Sequence, residues 1–290
     1  MHRFGAKPSR GHALEIVMAS DPDSDAKPAV SVVIPVLNEE EVVEDNLRTL
    51  SADLEHLAGR DAWRIFVVDN NSIDGTARIV DALGREFPGI VRLHQREHDI
   101  GRAMALGLEN VKSSYCYVMP IDECDLPFMR WSWKHRDEYD LFIGTKRADP
   151  TIYQQTNFRR VLSWGLNALL QLFFEYTGTD THGPKFMRMD AMRPILDSSV
   201  MARGQYDTEF VLKAIRRGLR VVELPVAYAE LRPPRNLMLA KIFRNIRDLF
   251  RLHREISRHP HAEGVRIYRY PRDVVLDDVG EQRKIGGGET

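Results

Sequence analysis

Between Val30 and Val36 the chain reads VSVVIPV, a continuous β-branched apolar run of the kind buried on both faces of a parallel sheet. Val43, Leu47, Leu50, Leu54 and Leu57 then recur at helical spacing, and Gly59 closes that helix. The alternation repeats. The pattern predicts a strand over Trp63–Val68, a helix over Thr76–Phe87, a short strand over Ile90–Leu93, a helix over Arg102–Val111 and a fourth strand over Tyr115–Ile121. Strands alternating with helices imply right-handed βαβ crossovers and a mainly parallel sheet flanked by helices, an α/β fold. Such sheets bind ligands outside the carboxyl ends of their strands.

After Asp140–Arg147 the rhythm loosens. Helices are expected over Asn157–Phe174 and Asp207–Arg217, a strand over Leu219–Leu224 ended by Pro225, and a basic amphipathic helix over Leu237–Arg258. Residues 1–28 read as a polar extension, with Met18 a conceivable start of translation, and the stretch from 271 to 290 as a flexible tail. The 290 residues allow one large domain or two small ones, at roughly 100–200 residues each.

Charge and cysteine content remove several classes. Lys and Arg total 41 against 42 Asp and Glu, so no global basic field points to nucleic acid. Cys116 and Cys124 form neither a disulfide framework nor a zinc pattern, which suggests a reducing compartment. The longest uncharged stretch, Val161–Phe174, falls short of the ~20 apolar residues of a membrane span, and no signal core opens the chain. The expected location is the cytoplasm, with peripheral attachment to the inner face of the membrane as an option.

Three strand ends carry the candidate chemistry. Pro35-Val36-Leu37-Asn38-Glu39 follows the first strand; Asn38 and Glu39 either cap the next helix or reach a ligand. The second strand runs into Asp69-Asn70-Asn71-Ser72-Ile73-Asp74-Gly75-Thr76. Its carboxylates and amides either bind a base or ribose or serve as local turn residues. Neither place carries a G-x-G-x-x-G or P-loop signature. The fourth strand ends in Asp122-Glu123-Cys124-Asp125, where crowded carboxylates suit a hard cation, Mg²⁺ or Mn²⁺, bridging to phosphate. Together these turns suggest a site for a nucleotide sugar.

At these residues the chain resembles the family 2 glycosyltransferases. SVVIPVLNEEEVV, VVDNNSIDGTARIV and VMPIDECDLP are similar, in order and spacing, to that family's opening strand, D-D-x-S-x-D-G-T turn and D-x-D region. HDIGRAMALGLENV, LFIGTKR, FRRVLSWGLNALLQLFF, GTDTHGPKFMRMDAM and YDTEFVLKAIRRGLRVVELPVAY resemble segments of the dolichyl- and polyprenyl-phosphate mannosyl- or glucosyltransferases. The likeness spans about residues 30–250. It implies a Rossmann-like glycosyltransferase A-type fold: a nucleotide-sugar domain over 29–235, then a basic amphipathic region over 236–270.

It also implies roles. Pro35, Leu37 and Glu39, with Asn38 and Asp69, would meet the nucleotide; Val68 and Asn70 would flank the base. Asp122 and Asp125 would hold the metal, or Glu123 and Asp125. Lys146, Arg232 and Arg235 would meet phosphate charge, and Lys185 would contact the substrate. The chain departs from the pattern at Leu37, where an aromatic is usual, at Asn70, where Asp is usual, and at ELRPPRNLM, which lacks the Gly and Ser of the phosphate loop. The implied reaction is inverting transfer of a hexose from a donor of GDP-mannose or UDP-glucose type. A polyprenyl phosphate acceptor is already an anion; a hydroxyl acceptor would need a base, Asp207 or Glu209, although Asp207 also suits a helix cap. The lipid reading draws on the apolar side of Asn157–Phe174 and on Lys241, Arg244, Arg247, Arg251 and Arg254. A non-catalytic nucleotide-binding relative is the rival reading.

Overall fold

The computed structural model describes residues 27–122, 124–145, 178, 181–200, 205–226, 251–256 and 267–269. Among the described residues, eight strands are ordered β3-β2-β1-β4-β6-β5-β7-β8 in one sheet. They are β1 (Val30–Val36), β2 (Trp63–Asp69), β3 (Ile90–His94), β4 (Tyr115–Val118), β5 (Leu141–Thr145), β6 (Lys185–Arg188), β7 (Val221–Pro225) and β8 (Ile267–Arg269). β6 runs antiparallel to both its neighbours, β4 and β5; the other pairings are parallel. The mainly parallel sheet read from the sequence is therefore observed, with one reversed strand in its middle.

Among the described residues, six helices of known bounds flank the sheet: α1 (Val43–Ala58), α2 (Thr76–Glu86), α3 (Ile100–Asn110), α4 (Leu126–Lys134), α5 (Met189–Leu196) and α6 (Tyr206–Arg216). Why β1 and β2 lack polar alternation is visible in how they divide their side chains. Val33, Phe66 and Val68 enter the core under α3, α5 and α6, whereas Val32, Ile34, Ile65 and Val67 enter the core under α1, α2 and α4. Both faces are covered, so both sets must be apolar. Each fully buried Val, Ile or Phe contributes about 1.5–3 kcal/mol. α3 lies close on the sheet because residue 107 is glycine; a Cβ there would stand 2.3 Å from Val33 Cγ1.

Several expected elements differ in extent, and four of the described elements were not anticipated. The fourth strand stops at Val118 rather than Ile121, and the helix expected from Arg102 begins at Ile100, where the Asp99 side chain accepts from the Arg102 N–H. α4, α5, β6 and β8 occupy stretches in which no element was expected. The helices expected over Asn157–Phe174 and most of Leu237–Arg258 lie outside the described residues, as do the extension up to residue 26 and the tail. Residues 251–256 are helical; Leu252 and Ile256 are buried in the core beside α6, and the Arg216 guanidinium donates to the Ile256 carbonyl at 2.8 Å. Over this stretch the apolar side of the expected membrane-facing helix packs inward. Among the described residues no helix is long and apolar enough to cross a membrane. Neither Cys116 nor Cys124 forms a disulfide.

Candidate functional site

The carboxyl ends of β1, β2, β4 and β5 meet along one rim. β6 enters from the same end, since Lys185, its first residue, pairs with Val118 near the end of β4 and with Ile143 near the end of β5. Gly183 makes this convergence possible. A Cβ on it would fall 1.8 Å from the Gly144 carbonyl oxygen, so only glycine lets the two backbones cross there. A hydrogen bond from Gly144 N–H to the Pro184 carbonyl, 2.8 Å, holds the crossing.

The turns after β1 and β2 are joined to each other. Asn38 does not cap α1, which begins at Val43 and has no side-chain cap. It sits in the left-handed region at φ 57°, and its Oδ1 accepts from Ile73 N–H at 2.9 Å while its own N–H donates to Ser72 Oγ at 3.0 Å. Glu39 N–H donates to Thr76 Oγ1 at 2.8 Å, and Gly75 N–H donates to the Glu40 carboxylate at 2.7 Å. Asp74 accepts from the Thr76 and Glu40 N–H groups. Burial works against ionisation of Asp74, but hydrogen bonds, the Thr76 hydroxyl's foremost, outweigh it and hold the carboxyl below its ordinary range. Most polar groups of the two motifs thus build a rigid double turn.

Few groups remain to face a ligand. Leu37 is 39 % exposed at the end of β1. Asp69 is buried; its Oδ1 accepts from Ser72 N–H at 2.9 Å, and its Oδ2 lies 3.6 Å from His94 and 3.8 Å from Arg92. The Asn70 amide oxygen accepts from Asp99 N–H at 3.0 Å, which turns the amide nitrogen the other way. Val68 is wholly buried against α3, so its side chain is part of the core and cannot flank a base. Pro35 is half-buried within β1. Asp99 was not anticipated as a site residue; an acidic residue directly before an apolar-periodic helix is the signal that could have found it.

Beyond β4, Asp122 is exposed and Asp125 mostly buried. Asp125 is the N-cap of α4: its Oδ1 accepts from Phe128 N–H at 2.8 Å, and a proline stands in the first turn. The cap fixes the direction of the carboxylate at the rim, much as an outer-shell partner orients a metal ligand. Among the described residues no three His, Cys, Asp or Glu groups gather as a metal cage. Two hard carboxylates on one short turn fit a cation that fills the rest of its shell with phosphate oxygens and water, as Mg²⁺ does. Glu123, Lys146, Arg232 and Arg235 lie outside the described residues.

The remaining three candidates sit behind the rim. Lys185 is 1 % exposed; its Nζ donates to the Gly183 carbonyl at 2.8 Å and lies 3.3 Å from Asp207 Oδ2. It is thus engaged inside the protein and presents no free ammonium to a substrate. Glu209 is wholly buried, 2.7 Å from Lys213 Nζ, and accepts from Val200 N–H at 2.9 Å. Its oxygens are committed to the fold, and the reading of Glu209 as a base is withdrawn. Asp207, in the first turn of α6, keeps one oxygen, Oδ1, for which no partner is found among the described residues.

Residues 31–130 match the family model described as Glycosyl transferase family 2. Among curated proteins, glycosyltransferase AglD of Haloferax volcanii is 27 % identical over 68 % of this chain, which covers 32 % of that relative. Dolichyl-phosphate beta-glucosyltransferase ALG5A of Trichomonas vaginalis is 26 % identical over 70 % of this chain and 66 % of its own length. The chain thus spans a third of the first relative and just under two thirds of the second. Among solved structures, glucosyl-3-phosphoglycerate synthase of Mycobacterium tuberculosis, in complex with Mn²⁺, UDP-glucose and phosphoglyceric acid, superposes with a TM-score of 0.55 at 16 % identity, covering 81 % of each chain. That likeness establishes the fold, a glycosyltransferase A-type α/β sandwich.

Proposed function

The chain carries a glycosyl transferase family 2 domain, and from that premise we propose that it moves a hexose from a nucleoside-diphosphate sugar to a polyprenyl phosphate, with inversion at the anomeric carbon. The observation that carries the reading is the rim itself. The family 2 segment ends within α4, and inside it the ends of β1, β2 and β4 bring Leu37, Asn70, Asp122 and Asp125 to one edge of the sheet. The named activity of the dolichyl-phosphate relative supports the lipid acceptor, and the Mn²⁺ and UDP-glucose of the mycobacterial structure support the donor and cation classes.

In this reading Leu37 supplies an apolar surface for the base and Asn70 a donor through its amide nitrogen. Asp122 and Asp125 would hold Mg²⁺ or Mn²⁺, which when bound offsets the negative charge that grows on the leaving diphosphate. The double turn serves by not moving: its groups already satisfy one another, so little reorganisation accompanies donor binding. A phosphate acceptor is an anion and needs no base, so Asp207 need not take a proton from it. Transfer to a hydroxyl acceptor is the second reading, favoured by the open oxygen of Asp207.

The test is direct. UDP- and GDP-hexoses with Mn²⁺ are screened for thermal stabilisation, and stabilising donors are assayed for transfer to a short polyprenyl phosphate. The expected result is stabilisation by one base class and turnover that EDTA abolishes and Mn²⁺ or Mg²⁺ restores. Stabilisation by none of them sinks the proposal.

A further inference from the structure

Two buried ion pairs lie along α6, and they are built differently. In the pair of Glu209 and Lys213 the separation is 2.7 Å, both carboxylate oxygens reach Val200 N–H within 3.1 Å, and the ammonium donates to the Ser198 carbonyl at 2.7 Å. Nothing there lacks a partner, as expected of a pair whose work is to fix the fold. The pair of Lys185 and Asp207 is longer, 3.3 Å, and only half satisfied. Lys185 is fully occupied by Asp207 Oδ2, the Gly183 carbonyl and the face of Phe210, 5.6 Å away. Asp207 Oδ1 is sheltered from water and has no hydrogen-bond partner among the described residues. A buried carboxylate oxygen left in that state costs about 1–3 kcal/mol or more and calls for an explanation.

The geometry points to a hydroxyl-reading role for this pair: Lys185 holds Asp207 by one oxygen so that the other, Oδ1, accepts an O–H group of a substrate. Three considerations select that chemistry. An anion such as phosphate would meet the open oxygen as like charge. A cation would find the carboxylate already balanced by Lys185. A neutral O–H donor satisfies the oxygen and adds no charge to a buried place. The pair lies directly behind the rim, because Lys185 opens β6 beside Val118, the last residue of β4, which leads into Asp122 and Asp125. The inference rests on the glycosyl-transfer reading above and sharpens it. The hydroxyl belongs either to the transferred hexose or to an alcohol acceptor; a polyprenyl phosphate offers none, so with that acceptor it is the hexose's. Asp207 is then a substrate contact and Lys185 a positioning residue.

The experiment uses the full chain and the nucleotide hexose that it turns over. kcat/KM is measured for that donor, for donors deoxygenated at single hexose positions and, where an alcohol is accepted, for deoxygenated acceptors, in wild type and in Asp207→Asn. Lys185 will claim the amide oxygen of Asn, leaving a nitrogen donor at the open place. One deoxygenation is expected to cost wild type roughly 10–100-fold and the variant less than about threefold. The substrate whose deoxygenation shows this loss of discrimination, donor or acceptor, is the source of the hydroxyl. Lys185→Met is expected to lose the same discrimination and Lys185→Arg to regain part of it, a rescue that a purely structural lysine would not show. Asp207→Asn keeps the side-chain shape, and its thermal melt verifies folding. If that variant discriminates every deoxygenated substrate as wild type does, the inference falls while glycosyl transfer stands. If Lys185→Met retains full discrimination, the positioning role falls. If wild type is neither stabilised by nor active on any nucleotide sugar, the reading beneath it fails and the inference falls with it.

Discussion

Asp125 carries two duties that substitution can separate. As N-cap of α4 it accepts a hydrogen bond from Phe128 N–H at 2.8 Å, in front of a nine-residue helix whose Phe128, Met129 and Ser132 are buried. Packing of those residues keeps the helix in place, so losing the capping bond in Asp125→Ala costs about 0.5–2 kcal/mol. In a chain of this size that corresponds to a fall in Tm of roughly 2–4 °C per kcal/mol. Asn caps as well as Asp, so Asp125→Asn gives up only the interaction of charge with helix dipole, about 0.3–1 kcal/mol. The proposed cation contact depends on the charge, which both variants lose. Turnover is therefore expected to fall about 10²-fold or more in both, as on removal of one preorganised electrostatic group, while the Asn variant melts near wild type. Urea denaturation measures the first quantity, and transfer at saturating Mn²⁺ the second. Asp125→Asn turning over within threefold of wild type would refute the functional duty and leave Asp125 a cap only.

Three further expectations concern the frame around the site. Glu209→Gln leaves the Lys213 ammonium buried without its counter-charge and should cost about 3–5 kcal/mol, read as a drop in the urea midpoint. Gly183→Ala places a methyl 1.8 Å from the Gly144 oxygen; separating the crossing should cost at least the ~1–3 kcal/mol of overpacking, seen as lost yield or an early melt. Asp140 accepts from the Arg220 N–H and lies 2.8 Å from Arg188 and 3.0 Å from Arg220. Burial opposes its ionisation, but the Arg220 hydrogen bonds and both guanidinium charges prevail and hold its carboxyl below the ordinary range. Its contribution is thus present above the unfolded-state value near pH ~4 and is lost as pH falls through the folded one. Denaturation of Asp140→Asn from pH 6 to about pH 2 should show a flatter acid decline than wild type; equal slopes would contradict this.

The amino-terminal half was the more legible part of the sequence, for a physical reason. β1 and β2 are covered on both faces, and a strand with two buried faces announces itself as an unbroken apolar run. α4 was hidden because its opening, Asp125-Leu126-Pro127, is both a cap signal and an acidic metal-like cluster, and spacing does not separate the two. β6 is four residues long and begins with a buried lysine whose counter-ion, Asp207, lies 22 positions later. A charged residue in so short a strand reads as surface or ligand contact unless its partner is known. Asn38 reads equally as a cap because its hydrogen-bond partner, Ile73, is 35 residues away. Composition and period describe neighbours along the chain; the site is made mostly of neighbours across it.

The joined turns have a consequence for how this edge of the molecule breathes. Ile73 is 87 % exposed, yet its amide proton is held by Asn38, and those of Glu39 and Gly75 are held by groups from the opposite turn. Deuterium should therefore enter these three amides slowly and together, since releasing any one of them means parting both turns. A chain segment that looks like a loose surface tip will behave in solution as a latch.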